Sequence, residues 1–510
     1  MNRKIKDNVP GLLLVFLCLS LAVGTFFLLG EHNIDADSAS EMVLADLLNQ
    51  ERSILSRNWF YSTELRVISP VPIYQACLAF IHSWHLARTA ANAILLFGMS
   101  ALLIWAGKSV GLGDISVYMG ALFILPVSWA QRFLVSWYGF YTVYVMDTCL
   151  FLLLTVKGRG KGVYAFMLLL GVVSGLSGVR MIMLCGFPLL ASSIVCLLFK
   201  DAGKIERQRA WNAFFGFLGM AMGYLINAHI LAKYYLFRQY DAIRLEKFSA
   251  EQCLKWAEAL LRFWGYEEGV PLMSLQGVCN IGIAIFILAI PLAIIAALTK
   301  AAELKPEQRA ALFYAVFCCL TVMVMVCIGS DFAIADTSVG YFLPGMYFAC
   351  ACGLMIFRNK LGKHLGRVAL IGLVLFFSCS SILSIRKNAV SSVTPRERAA
   401  EWLSEKGYSR GYATYWNGNV LSYYTDGKLD VTTFASWGSP EPQEWLQRRD
   451  HMIPESGPVF IYTDDGELGS MDDIPFAKEE HLCYAEDGIF LYLYESGQEV
   501  IDLLARKENL

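Results

Sequence analysis

The sequence predicts a polytopic α-helical membrane protein of about eleven transmembrane helices, followed by an α/β domain outside the membrane. Three observations predict this. Hydrophobic residues make up 56% of the 510 and charged residues only 17%, against roughly 45–50% and about 25% in soluble domains. Mean hydropathy is +0.48, which excludes disorder, a fibre and a plain soluble enzyme. The charge is also divided. Residues 396–510 hold 10 Lys and Arg against 22 Asp and Glu, a net −12, while the chain before them carries +10. A charge-poor basic part therefore precedes an acidic soluble tail, and an acidic tail does not suggest nucleic-acid binding. Most of the 14 cysteines sit inside apolar runs, where they act as small hydrophobes, and no CxxC spacing suggests zinc or redox chemistry.

The first apolar run, 11–30, is long enough to span and too long for the core of a cleaved leader, so it predicts an uncleaved first helix. Further runs predict spans near 87–107, 115–130, 136–156, 163–178, 181–199, 211–232, 272–298, 308–328, 339–357 and 367–385. The loops orient them. With a cytoplasmic N-terminus, the cytoplasmic segments hold eighteen Lys and Arg, and the short outside loops hold only Arg132 and Arg180. This is a positive-inside pattern in a multi-pass cell-membrane protein. Residues 1–385 then form the membrane module, with a first outside loop at 31–86, and 386–510 form the extracytoplasmic domain. A third outside segment covers about 233–271.

The first loop opens with Glu31-His32-Asn33-Ile34-Asp35-Ala36-Asp37-Ser38-Ala39-Ser40-Glu41. Ser38 and Glu41 have capping-box spacing before an interfacial helix. Asp35 and Asp37 thus stand where the chain leaves the membrane. A carboxylate there can take a proton from a substrate hydroxyl or hold a divalent ion beside a phosphate. It can equally well be a helix cap. Next comes Asn58-Trp59-Phe60-Tyr61-Ser62-Thr63-Glu64-Leu65-Arg66. Its aromatics fit an interfacial belt, while Arg66 offers a fork suited to phosphate or, more commonly, an ion pair. His82 and His85 make half a metal site with no third ligand, which reads as polar decoration. His85 and Arg88 top the second span. Gly107-Lys108-Ser109 lacks the upstream glycine of a P-loop. Arg180 lies in an otherwise apolar turn, either as a functional charge or snorkelling to headgroups. Asp147 and His229 interrupt spans without forming a relay, and Asp331 and Asp336 flank a short turn.

An acidic pair after the first span, an interfacial helix, eleven spans and an outside C-terminal domain resemble the GT-C glycosyltransferases, which use polyprenyl-phosphate sugars. The nearest resemblance is to bacterial relatives of the protein O-mannosyltransferases and the RgtA/B/C/D-like group. It rests on the strings at 35–41 and 58–66, and on Gly411-Tyr412-Ala413-Thr414-Tyr415-Trp416-Asn417 in the tail. The pair here is Asp-x-Asp where the mannosyltransferases have Asp-Glu, so either aspartate is a candidate base. The resemblance implies a lipid-linked donor entering from the outer leaflet, and an extracytoplasmic glycan, lipid or protein as acceptor. It implies inverting transfer with Asp37 or Asp35 as base, and Arg180, Arg66 and Arg88 on the donor phosphate. Glu41, Tyr61, Glu64 and His85 would lie around the substrates. No metal ligand is assigned, and a divalent cation stays open because some members bind one and others do not.

The tail predicts helices at 396–406, 417–424 and 441–448, and strands at 411–415, 428–434, 458–463, 480–485 and 488–494. Alternation of Ile489, Leu491 and Leu493 with Phe490, Tyr492 and Tyr494 suits a buried strand. A competing reading is a transporter or lipid-linked-glycan flippase, which would gather polar residues at midplane breaks. A polymerase or ligase of lipid-linked glycans ranks lower. It would lean on Arg and His in a large loop, and 233–271 offers Arg238, Arg244 and Arg262 without His.

Overall fold

The computed structural model describes residues 9–63, 65–237, 247–328, 335–388, 393–439, 441–469 and 474–506, apart from the side chains of 335–338, 363, 388 and 506. Glu64, Arg238, Arg244, Asp331 and the side chain of Asp336 lie outside the described residues.

A backbone in lipid must satisfy its own hydrogen bonds, so apolar runs become helices. Among the described residues, eight helices are long and apolar enough to cross a membrane, beginning with Val9–Asn33, Trp84–Ser109 and Phe140–Lys157 and ending with Val339–Leu361 and His364–Lys387. Their outer faces expose Leu13, Phe97, Ile285 and Leu292, a surface that water would not tolerate and lipid tails would cover. Lys161–Gly175 and Ile182–Leu197 are shorter apolar helices.

The run expected at 115–130 is bent rather than straight. Ile115–Ile124 and Trp129–Trp137 meet at 97°. Pro126 lies in the break and has no N–H to donate back to the preceding turn. Side chains satisfy the backbone groups that are freed: Ser381 donates to the Pro126 carbonyl at 2.8 Å, and Gln131 to that of Phe123 at 3.2 Å.

Lys161–Gly175 packs on Lys204–His229 through glycines. A Cβ at Gly175 would stand 2.1 Å from the Met220 carbonyl oxygen, and one at Gly219 would stand 2.2 Å from that of Leu168. Small residues at four-residue spacing on both helices let the backbones touch.

In the tail, Arg410–Thr414 (β2), Asp430–Phe434 (β3), Val459–Asp464 (β5), Leu482–Glu486 (β6) and Ile489–Tyr494 (β7) form one sheet. Its order is β3-β2-β5-β7-β6, and β2 is parallel to both β3 and β5. Both faces are buried. Phe460 and Tyr462 pack on one side with Leu403 and Leu421, and Val459 and Ile461 on the other with Phe434 and Leu504. The helix expected at 441–448 does not form. Leu446 has φ +47°, and the Gln447 amide accepts the Thr433 N–H at 2.9 Å and donates to its carbonyl at 3.0 Å. The segment bends instead, and so brings the Gln447 side chain to the edge of β3. It continues as Gln447–Arg448 (β4), which pairs antiparallel with Trp59–Phe60 (β1) of the first loop.

That pairing docks the tail on the membrane module. The Trp84 N–H donates to Asp426 at 2.6 Å, and His32 lies 2.9 Å from Glu397. Tyr415, Val420 and Tyr423 share a core with Ala39, Met42 and Leu48.

Candidate active site at one end of the bundle

The helix Ala36–Glu51 starts earlier than the capping box predicts. Asp35 is its N-cap and accepts the Ser38 N–H at 3.0 Å. Glu41 does not close a box but accepts from Arg88 at 2.9 Å. The structure thus separates two aspartates that look alike in sequence. The Asp35 carboxylate serves the helix end. The Asp37 carboxylate accepts the Tyr415 hydroxyl of the tail. Burial and the nearby Asp35 raise the Asp37 pKa, while Tyr415 and Arg66 oppose the rise. Burial pushes Glu41 up to about 7 against the pull of Arg88.

Two cations share one aromatic ring beside this helix. The Arg66 guanidinium lies 4.0 Å over Phe140, and that of Arg180 lies 5.9 Å from the same ring and 5.7 Å from Tyr341. Tyr138 stands beside Arg66. The Phe140 ring holds the Arg66 guanidinium without neutralising it. The two loops that carry these arginines are stapled together. The Ile68 N–H donates to Ser177 at 2.7 Å, and Asn227 donates to the carbonyls of Leu65 at 2.9 Å and Leu176 at 2.5 Å. Asn227 is delivered by Lys204–His229, the helix seated by the glycine crossing, so a packing feature sets the spacing of the two cations.

Arg88 behaves differently. It is fully buried and donates to the Ser38 carbonyl at 2.6 Å, to Glu41 at 2.9 Å and to the Trp137 carbonyl at 2.8 Å, while lying 4.5 Å over Tyr74. It fastens the interfacial helix to the second span. His85 is also a support, with Nε2 2.9 Å from the Phe27 carbonyl oxygen and Nδ1 3.3 Å from the Tyr423 hydroxyl. Tyr61 closes its own loop, accepting the Ser56 N–H at 2.9 Å and donating to the Ser56 carbonyl at 3.2 Å.

Asp35, Asp37, Glu41 and Arg66 are therefore close enough to bias one another's charge, and Arg180 joins them across Phe140. All stand at the end of the bundle where the first span finishes and the spans starting at Trp84, Phe140 and Val339 begin. The basic loops lie at the other end. Among the described residues no three His, Cys, Asp or Glu side chains are grouped to hold a metal ion.

Sequence reasoning missed Tyr138, Phe140, Tyr341 and Tyr415. Tyr415 lies in the tail string that carried the family resemblance, but its contact crosses 378 residues. The run Trp137-Tyr138-Gly139-Phe140-Tyr141 held a local signal. Gly139 has φ +62°, and a Cβ there would stand 2.5 Å from the Tyr74 hydroxyl. Only glycine fits the corner that aims Phe140 at the arginines.

No model of a known protein family matches the chain, and comparison with curated proteins gives no match either.

Proposed function

We propose that the chain is a GT-C-type membrane glycosyltransferase that moves a sugar from a polyprenyl-phosphate donor to an extracytoplasmic glycan, lipid or protein acceptor, with inversion. The observation that carries this reading is a half-buried Asp37 carboxylate near enough to Arg66 to feel its charge, with Arg66 and Arg180 on the same Phe140 ring. Eight long helices, one bent pair and two short helices account for eleven spans in this reading. The eighteen-to-two distribution of Lys and Arg puts the site outside. A reporter fused after residue 450 is then extracytoplasmic.

In this reading Asp37 removes the proton from the acceptor hydroxyl. Its raised pKa makes it a stronger base than an ordinary carboxylate. Arg66 and Arg180 meet the negative charge that grows on the departing lipid phosphate, and held in place beforehand they need little rearrangement as it forms. Arg88, committed to Glu41 and two carbonyls, positions the helix that carries Asp37.

The test is Asp37→Asn beside Asp35→Asn, assayed for transfer from a polyprenyl-phosphate sugar in liposomes. Asparagine caps a helix about as well as aspartate. Asp35→Asn should therefore keep most activity, and Asp37→Asn should lose on the order of 10²–10⁴-fold at an unchanged unfolding temperature. Wild-type turnover in Asp37→Asn would sink the assignment.

A further inference from the structure

We propose that the cleft between the first loop and the tail domain is a saccharide subsite, holding the part of the acceptor beyond its reacting hydroxyl. The inference rests on the transferase reading of Asp37 and gives the tail domain its task.

β3 and β5 lie on opposite sides of β2, and all three are parallel. The connections leaving β2 and β5 diverge, and a crevice opens beyond their carboxyl ends, the usual place for a ligand in such sheets. The chain after β2 supplies Tyr415, which reaches Asp37. The chain after β5 supplies Asp465, next to Asp464 at the strand's end. A cavity of about 420 Å³ opens here, walled by Ile34, Arg396, Tyr424, Tyr462, Asp464 and Asp465. Its size falls within the roughly 300–1,000 Å³ of small-molecule sites. Ile34 immediately precedes Asp35, so the cleft begins beside the acidic helix.

The lining suits a neutral polyhydroxylated ligand. Carboxylates accept sugar hydroxyls, a guanidinium donates to them, and the partly exposed Tyr424 ring offers a face to the C–H side of a pyranose. Aspartates beside the arginine disfavour an anion, and the polar walls disfavour a lipid tail. Tyr462 is buried at this wall with its hydroxyl beside Arg396, so the ring holds the guanidinium at the cleft.

The test uses the full-length protein in phospholipid nanodiscs, free of glycoside detergents. Saturation-transfer NMR is recorded with methyl glycosides of mannose, glucose, galactose and arabinose and with their disaccharides. At least one should give a signal that Arg396→Ala and Tyr462→Phe each weaken several-fold. Tyr462→Phe keeps the ring and removes only the hydroxyl beside Arg396, so it carries the test if Arg396→Ala destabilises the fold. No signal from any glycoside, or a signal that neither variant changes, overturns the subsite. Binding is read without donor, so it is separable from catalysis. A Tyr462-dependent signal from a wild-type protein that transfers no sugar from any polyprenyl-phosphate donor overturns the transferase reading instead.

Discussion

The basic end of the helix bundle and the surroundings of Arg66 at the other end treat arginine in opposite ways, although Arg88 nearby keeps its ion pair with Glu41. At the basic end four arginines meet carboxylates. Arg309 holds Asp201 through contacts of 2.8 and 2.5 Å, Arg358 and Arg367 reach Asp114 at 2.7 and 3.6 Å, and Arg209 meets Glu206 at 3.2 Å. At the other end Asp37 and Arg66 influence each other's charge, but among the described residues they form no ion pair. Tyr415 takes the carboxylate and Phe140 takes the guanidinium. Opposite charges in a buried setting tend to close on each other, and holding them apart requires a scaffold. Closed pairs fasten helices. In the proposed reading, a pair held open would meet an acceptor hydroxyl at one side and a phosphate at the other.

The largest effect that could break this contrast comes from the open end. Arg66→Lys and Arg180→Lys keep the charge but lose the planar fork and its ring stacking. Each should lower transfer on the order of 10²-fold, the scale of losing one preorganised donor, with little change in unfolding temperature. Arg309→Lys at the basic end should leave turnover per folded molecule unchanged. Equal effects at the two ends would erase the distinction.

A smaller effect, on stability alone, comes from the closed end. Asp114→Asn leaves Arg358 and Arg367 facing each other without their shared carboxylate. Side-chain exposures of 12%, 19% and 24% place this between surface and buried pairs, so the loss should be about 2–3 kcal/mol. Thermal unfolding measures it. A loss of turnover at full folding would mean that the basic end also serves the chemistry.

How much of this was legible in the sequence follows from which interactions are local. Apolar runs and the break at Pro126 depend on neighbours in the chain, and the runs were read while the bend was not. The tail strands were also readable, because period-two burial is local. The bent course of 441–448 was not, since the Gln447 side chain answers a strand edge fourteen residues away. At the site, Asp35, Asp37, Arg66 and Arg180 stood out as charges near membrane exits. What separated Asp37 from Asp35, and Arg66 from Arg88, was their partners. Tyr415, Phe140 and Glu41 are brought to them only by the packing of distant segments, and spacing carries no trace of that.

The smallest expected effect sharpens the comparison most, because it concerns the single bond that restrains Asp37. The Tyr415 hydroxyl donates to the carboxylate and so favours its charged form, against burial, which favours the neutral one. Asp37 must be ionised to act as a base, so transfer should fall as pH drops through its raised pKa. The acid limb of the rate profile then lies above the value near 4 of an ordinary aspartate. Tyr415→Phe removes the donor and keeps the ring. The carboxylate loses a stabilising bond, its pKa rises further, and the limb should move to higher pH by about one unit, as the loss of one charge-assisted hydrogen bond implies. At high pH Asp37 is ionised in both proteins, and their rates should converge to within a few-fold. The stability consequence has the same sign. A carboxyl group whose pKa is raised by folding binds its proton more tightly when folded, so stability declines as pH rises from the unfolded value through the folded one. The variant should extend that decline upward. A limb that stays in place, or moves down, would show that the Tyr415 bond does not govern the charge of Asp37, and the open pair would have to be held apart by something else.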